Sequence, residues 1–321
     1  MVATPRTLHV PAPRRRALPW PRTLGARLLL ALTLGLAVAS MGYLAVSYRV
    51  ADGVTRVNRS ALEHPPTYVT DIYEAVTFRS LDGLRLEGWW FPAAGDRAVV
   101  LVHGKDANRI SSSWDPARIS RSFIARGYSV LVFDLRGHGE SEGLRWALGL
   151  HEPKDILAAV DLAAQKAGID RTRVAVIGES MGAGSALMTV AADPGIGPVV
   201  TDSAYADAEV IIGEIAPAFT GLPTWFNPGI LFVAKAFFDL DASLIKPIDV
   251  VRAHPERAFL FIHCANDTTV YPHHAEDLRA ASAHAASDLW IADGCGHVRA
   301  FQTHPDEWES RVFAFLDAQM R

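Results

Sequence analysis

Cysteine is nearly missing from this chain. Two occur in 321 residues, Cys264 and Cys295, too few for a disulfide framework or a four-cysteine zinc site. A surplus of positive charge is missing as well. The net charge is −4, so no global basic field recruits nucleic acid, and no nucleic-acid partner is expected. No segment repeats at a fixed period, which argues against a repeat architecture. Glycine and proline, 24 and 19 residues, are too sparse for a collagen-like or low-complexity chain. What is present is a 50% hydrophobic composition over a length that allows a sizeable core, as one large domain or two small ones.

Charge is also missing locally. Residues 1–27 hold six arginines and no acid, and Leu28 to Tyr48 carries no charge at all: LLLALTLGLAVASMGYLAVSY. As a helix this run spans about 31 Å at ~1.5 Å per residue, which matches a hydrocarbon core of about 30 Å. Beyond it, Arg49, Arg56 and Arg59 are diluted by Asp52 and Glu63. The positive-inside rule then makes 1–27 a basic cytoplasmic tail, 28–48 a signal anchor, and the body an extracytoplasmic part of a single-pass membrane protein. Two readings remain beside it. Ala37-Val38-Ala39 resembles a small-residue cleavage site, which would give a secreted body after cleavage near Ala39. A buried core helix has the same composition, although the arginine cluster argues against it. Residues 49–70, with Pro65-Pro66, read as a linker.

The folded body is expected over 71–321. Glu74–Ser80 and Leu84–Phe91 flank Asp82-Gly83, a hairpin signal. Continuous apolar runs follow at Ala98–Val102, Ser129–Phe133, Val174–Ile177, Pro198–Thr201, Ala258–Cys264 and Asp288–Ile291, as for strands covered on both faces. Helical candidates lie between or after them at Trp114–Arg126, Lys154–Ala167, Met181–Ala192, His273–Ala286 and Pro305–Met320. This order predicts an α/β fold: a mostly parallel sheet with helices on both faces and an antiparallel start. Residues 205–256 break the rhythm with a stretch too long for a loop and rich in Phe219, Trp225, Phe226, Phe232 and Phe237. A helical cap insertion is expected there, its apolar side chains either packing it onto the body or lining an acyl pocket.

Gly178-Glu179-Ser180-Met181-Gly182 follows one predicted strand and opens a helix. A serine on such a turn stands above the sheet with the helix N-terminus behind it. An alcohol is a weak nucleophile at neutral pH, so Ser180 needs a base, and the base needs an orienting acid. His297 follows the last strand in Asp293-Gly294-Cys295-Gly296-His297, and Asp267 follows the preceding strand in His263-Cys264-Ala265-Asn266-Asp267. All three fall at carboxyl ends of strands, where open α/β sheets place their ligands. Asp202, after Pro198–Thr201, is a rival acid that chain order does not exclude. Developing negative charge on a carbonyl oxygen needs two backbone donors. Met181 N–H is one expected donor and Lys105 N–H, in His103-Gly104-Lys105-Asp106, the other.

Together His103-Gly104, Asp134-Leu135-Arg136-Gly137-His138-Gly139-Glu140-Ser141, Gly178–Gly182, Asp267 and His297 resemble the α/β-hydrolase superfamily over roughly 70–321. Glu87-Gly88-Trp89-Trp90-Phe91-Pro92 looks like its serine aminopeptidase-like or prolyl-oligopeptidase-like branch. The resemblance implies an eight-stranded sheet and a covalent acyl-enzyme cycle. It does not fix the substrate. Cys264 departs from the family, whose members commonly carry glycine there. An exported protein would allow Cys264 and Cys295 to bond, whereas buried free cysteines are the alternative. His273, His274, Glu276 and Asp277 read as a helix start after Pro272 rather than as metal ligands. Arg136 and His138 read as architectural. The expected function is a serine hydrolase of carboxylic esters or related acyl compounds, acting on a small and even lipid-like substrate through Ser180, His297 and Asp267. No cofactor is implied. A serine peptidase with the same residues and a non-catalytic membrane-tethered binding protein are the alternatives.

Overall fold

The computed structural model describes residues 23–320, so most of the expected cytoplasmic tail lies outside the described residues. The chain divides into two units, Met1–Ala45 and Val46–Arg321. Helix α1, Leu24–Thr55, begins in the first and ends in the second. It outruns the uncharged segment at both ends. In the first unit its leucines, such as Leu28, Leu32 and Leu36, are exposed. In the second, Ser47, Ala51 and Thr55 are buried at four-residue spacing, so one stripe of the final turns packs on the body.

Residues 49–70, read above as a linker, continue α1 to Thr55 and are then held against the body. The Arg59 guanidinium donates to the carbonyl oxygens of His138, Gly139, Ser141 and Gly143 at 2.6–3.3 Å. Those oxygens belong to a glycine-rich loop outside the sheet ladder, and a guanidinium carries enough donors to satisfy several at once. The Asn58 N–H donates to Asp106 and the Glu63 N–H to Ser111.

The body is built on one eight-stranded sheet, in spatial order β1-β2-β4-β3-β5-β6-β7-β8. The strands are β1 Glu74–Arg79, β2 Arg85–Phe91, β3 Arg97–Val102, β4 Tyr128–Phe133, β5 Val174–Glu179, β6 Val199–Asp202, β7 Phe259–Cys264 and β8 Asp288–Ala292. β2 pairs antiparallel with β1 and with β4, and all other pairs are parallel. Alternation within one strand feeds two cores. Ala98, Val100 and Val102 of β3 join one and Val99 and Leu101 the other, as the two-residue period of a strand requires. The first core takes helices α3 Pro153–Ala167, α4 Met181–Ala192, α7 Pro247–Ala253 and α8 His273–Ala281. The second takes α2 Pro116–Ala125, α9 Ala300–Thr303 and α10 Pro305–Gln319. Residues 205–256 fold as helices: α5 Ala208–Thr220, α6 Asn227–Phe238 and α7, the last packed on α4 and α8.

Candidate active site

Ser180 joins β5 to α4 at φ 50°, ψ −117°, a conformation L-residues rarely hold without enforcement from their surroundings. The enforcement is visible. The Ser180 N–H donates to the carbonyl of Asp202 on neighbouring β6 at 2.8 Å, while its carbonyl accepts from the Ala183 and Gly184 N–H groups. Gly178 and Gly182 make the turn possible, since a side chain on Gly182 would collide with the carbonyls of Val102 and His103, and one on Gly178 with that of Gly182.

Three side chains from separate strand ends then meet in one line. His297 Nε2 lies 2.8 Å from Ser180 Oγ, and His297 Nδ1 lies 2.7 Å from Asp267 Oδ2. The other oxygen of Asp267 accepts the Thr269 and Val270 N–H groups, both at 2.9 Å. Burial pushes the Asp267 carboxyl up. The hydrogen bonds of His263 and His297, the His297 charge and the Val270 N–H outweigh it and hold the group well below the usual carboxylate range. Asp202 does not reach His297 by any hydrogen bond. Its Oδ1 accepts from Ser203 Oγ at 3.1 Å, and burial pushes its pKa up to about 7. Ser203 Oγ in turn accepts the N–H of Val298 at 3.2 Å. Ser203 and Val298 both hold positive φ, 58° and 53°, an outlier for a β-branched residue. A second hydrogen-bonded line therefore fixes the backbone next to His297.

The loop after β3 is pinned from three sides; sequence reading marks His138 as architectural without its partner, and misses the parts played by His103 and Glu179. His103 Nε2 accepts the Leu135 N–H at 3.0 Å, so its proton sits on Nδ1 and is donated to the Gly104 carbonyl at 2.7 Å. His138 Nε2 accepts the Asp106 N–H at 3.1 Å, so its Nδ1 donates to the Arg136 carbonyl at 2.9 Å. Burial pushes both imidazoles down, keeping them neutral. Glu179 Oε1 accepts the Gly104 N–H at 3.0 Å and the Ser112 hydroxyl at 2.6 Å. Burial raises the Glu179 carboxyl above its ordinary value against those two bonds. The one hint in the sequence was a charged side chain within the elbow pentapeptide, next to a strand that reads as fully buried.

Cys264 and Cys295 are bonded, their Cα atoms 5.2 Å apart. The bridge ties the loop carrying Asp267 to the loop carrying His297. Backbone bonds from Asn266 to Cys295 and from Ala265 to Ala292 run alongside it. His273 and His274 start α8, as expected after Pro272, and both face Glu214 of α5, at 2.8 and 3.0 Å. His274 Nδ1 accepts the Ala206 N–H at 3.2 Å, so its Nε2 carries a proton and donates it to Glu214. The cluster thus fastens α5 to α8. Arg136 is held by Asp155 and Asp82 and plays a structural part at the β4 loop.

Ser180 and His297 open into a cavity of about 560 Å³ whose wall includes Gly104, Lys105 and Met181. Most of the remaining lining is apolar, with Ile211, Ile212, Ile215 and Phe219 from α5 and Ile230 from α6. The Lys105 ammonium is turned to Asp106 and lies 5.7 Å from the centre of the Trp146 ring.

Comparison with known proteins agrees with the fold. The protein YfhR of Salmonella typhi is 27% identical over 245 residues, 71% of this chain and 75% of that one. YqkD of Bacillus subtilis is 26% identical over 225 residues, 68% of this chain and 70% of its own. Among solved structures, the Pyrococcus furiosus esterase Pf2001 aligns with a TM-score of 0.69 at 26% identity, covering 83% of this chain and 100% of that one. The model of the Alpha/beta hydrolase family matches residues 99–311, a span that runs from β3 through the loops of Ser180, Asp267 and His297, and the chain belongs to that family of enzymes.

Proposed function

We propose that the chain is a membrane-anchored serine hydrolase that cleaves carboxylic esters carrying apolar acyl groups. The observation that carries this is the hydrogen-bonded line Ser180–His297–Asp267, 2.8 and 2.7 Å, at the floor of an apolar cavity. Ser180 Oγ attacks the ester carbonyl carbon while His297 Nε2 takes the hydroxyl proton, and Asp267 orients the ring and stabilises its charged form. The carbonyl oxygen becomes an oxyanion facing the N–H groups of Met181 and Lys105. His103 supports the second donor, because it fixes the Gly104 carbonyl and the N–H of the same trans peptide points the opposite way. His297 returns the proton to the departing alkoxide, leaving an acyl-Ser180 ester. Water then gives its proton to His297, attacks the acyl carbon, and releases the acid with Ser180 restored.

Residues 28–48 are the anchor in this reading, 1–27 the cytoplasmic tail and 71–321 the hydrolase domain with its cap at 205–256. The exposed apolar first half of α1 fits a membrane span. The Cys264–Cys295 bond fits an extracytoplasmic body. Esterase activity in the similar Pf2001 points the same way. A fluorophosphonate probe should label the full-length protein and leave Ser180→Ala unlabelled, and purified protein should turn over p-nitrophenyl butyrate faster than a peptide p-nitroanilide. Labelling that survives Ser180→Ala, or peptide turnover in excess of ester turnover, would overturn the assignment.

A further inference from the structure

The cap exposes more large apolar surface than its stability requires. Phe219, Trp225, Phe232 and Phe237 are 61%, 61%, 59% and 64% exposed, while Ile230, Val233 and Ala234 of α6 are buried and hold the helix to the body. By the 3.6-residue period, Phe232 stands on the outer side of α6 beside Lys235, and Phe237 continues the Ile230–Val233 stripe at the exposed end of the helix. Soluble helices present a polar outer face, and contiguous exposed apolar surface marks an interaction site. Elsewhere in the body, Tyr68, Ile72 and Tyr73 are exposed ahead of β1, and Leu81 and Leu144 are each exposed alone in their segments.

Two observations say what covers this surface. Tyr48 closes the uncharged run of the sequence, and its ring packs on α6, 5.7 Å from Phe237 and 5.3 Å from Phe238 between centroids. Where the run leaves a bilayer, an aromatic residue is at the headgroup level, the depth that tyrosine and tryptophan favour, and α6 is beside it. Phe219 also lines the cavity that holds Ser180 while standing exposed at the surface. Phe219 thus joins the outside of the cap to the cavity that holds the nucleophile.

We infer that the exposed apolar side chains of the cap, Trp225, Phe232 and Phe237, dock on the lipid surface in which the anchor is embedded, and that the cavity takes its substrate from that surface, an acyl ester of a membrane lipid. This rests on the anchored-hydrolase reading above. An acyl chain leaving the bilayer beside Phe219 stays in contact with apolar side chains up to Ser180, whereas entry through water would expose it.

The test uses the full-length chain in phosphatidylcholine vesicles. With both native cysteines bonded, Phe232→Cys and Ser310→Cys, the latter at an exposed position of α10, each offer one thiol for an environment-sensitive fluorophore. Vesicles with brominated acyl chains should quench the label at 232 severalfold and leave that at 310 unchanged. The triple variant Trp225→Ser, Phe232→Ser, Phe237→Ser should keep its turnover of soluble p-nitrophenyl butyrate and lose roughly tenfold or more on a lipid ester embedded in the vesicles. Equal, weak quenching at both sites in protein that stays with the vesicles through an alkaline carbonate wash would overturn the docking and leave the anchor standing. Protein released by that wash would overturn the anchor and the docking together. Absence of butyrate turnover in the unsubstituted chain would instead remove the hydrolase reading, and the substrate inference with it. An unquenched label at 232 on a chain that crosslinks to a second copy through α6 would assign the face to a dimer and overturn the lipid assignment.

Discussion

Ser180 is held at a positive φ by its neighbours, and holding a residue in such a region costs about 1–3 kcal/mol, a cost the fold sustains only where the hydroxyl must stand clear of the sheet. Two aspartates competed for the partnership of His297, and the structure separates them by contact: Asp267 reaches Nδ1, Asp202 does not. Asp267→Asn should keep the fold and lower kcat by about 10⁴, because the wrong imidazole tautomer is then favoured. Asp202→Asn keeps an acceptor for Ser203 and should lower kcat by less than about tenfold. Equal losses from the two substitutions, measured on a soluble ester, would show that contact is a poor guide to the orienting acid here. Their effects on stability have opposite signs. The pKa of Asp202 is raised to about 7, so the native state binds its proton more tightly than the unfolded chain does. Its contribution is complete below about pH 4, the unfolded value, and is lost as pH rises through about 7. Asp267 is depressed, so its contribution is present above about pH 4 and is lost as pH falls. Tm measured across this range should decline less steeply toward neutral pH in Asp202→Asn than in the native protein, and parallel curves would refute the raised pKa.

At the scale of elements, the loops after β7 and β8 must stay in register for Asp267 to meet His297, and the Cys264–Cys295 bond closes a loop across 31 residues of sequence to that end. Replacing both cysteines by serine should destabilise the chain by about 2–4 kcal/mol on chain-entropy grounds, read as a fall in the urea midpoint. It should also lower kcat more than it raises KM, since the hydroxyl–imidazole alignment loosens while the cavity keeps its wall. A lower midpoint with unchanged kcat would make the bridge purely a stabiliser. The strands were legible in the sequence because a strand covered on both faces has to be continuously apolar, as Val99 to Val102 are. The positions of Ser180, Asp267 and His297 were legible because parallel strands deliver their carboxyl ends to one rim. The supports of the loop after β3 were not. Glu179 meets Gly104 across 75 residues, His138 meets Asp106 across 32 and His103 meets Leu135 across 32, and no local pattern encodes a pairing at such distance. The end of α1 was hidden for a related reason: Arg49 and Asp52 end the apolar run, yet burial of Ala51 and Thr55 against the body carries the helix to Thr55.

For the whole molecule, substrate preference depends on how the cap and the sheet edge enclose space together. The sequence left open whether the apolar residues of 205–256 pack the cap or line a pocket, and they divide. Ile211, Ile212 and Ile215 line the cavity, while Trp225, Phe232 and Phe237 are exposed. A wall of isoleucines contributes through area removed from water, about 0.8 kcal/mol per buried methylene, which is roughly a fourfold gain in kcat/KM for each methylene added to the acyl chain. Across soluble p-nitrophenyl esters from acetate to decanoate, kcat/KM should therefore climb until the chain fills the roughly 560 Å³ cavity and then level or fall. Ile215→Trp places a larger side chain in that wall and should move the optimum to a shorter ester while leaving acetate turnover within about twofold, because the acetyl methyl stays next to Ser180, short of the α5 wall. A strict preference for acetate in the native protein, or an optimum that Ile215→Trp does not move, would mean that the acyl chain runs elsewhere than along α5.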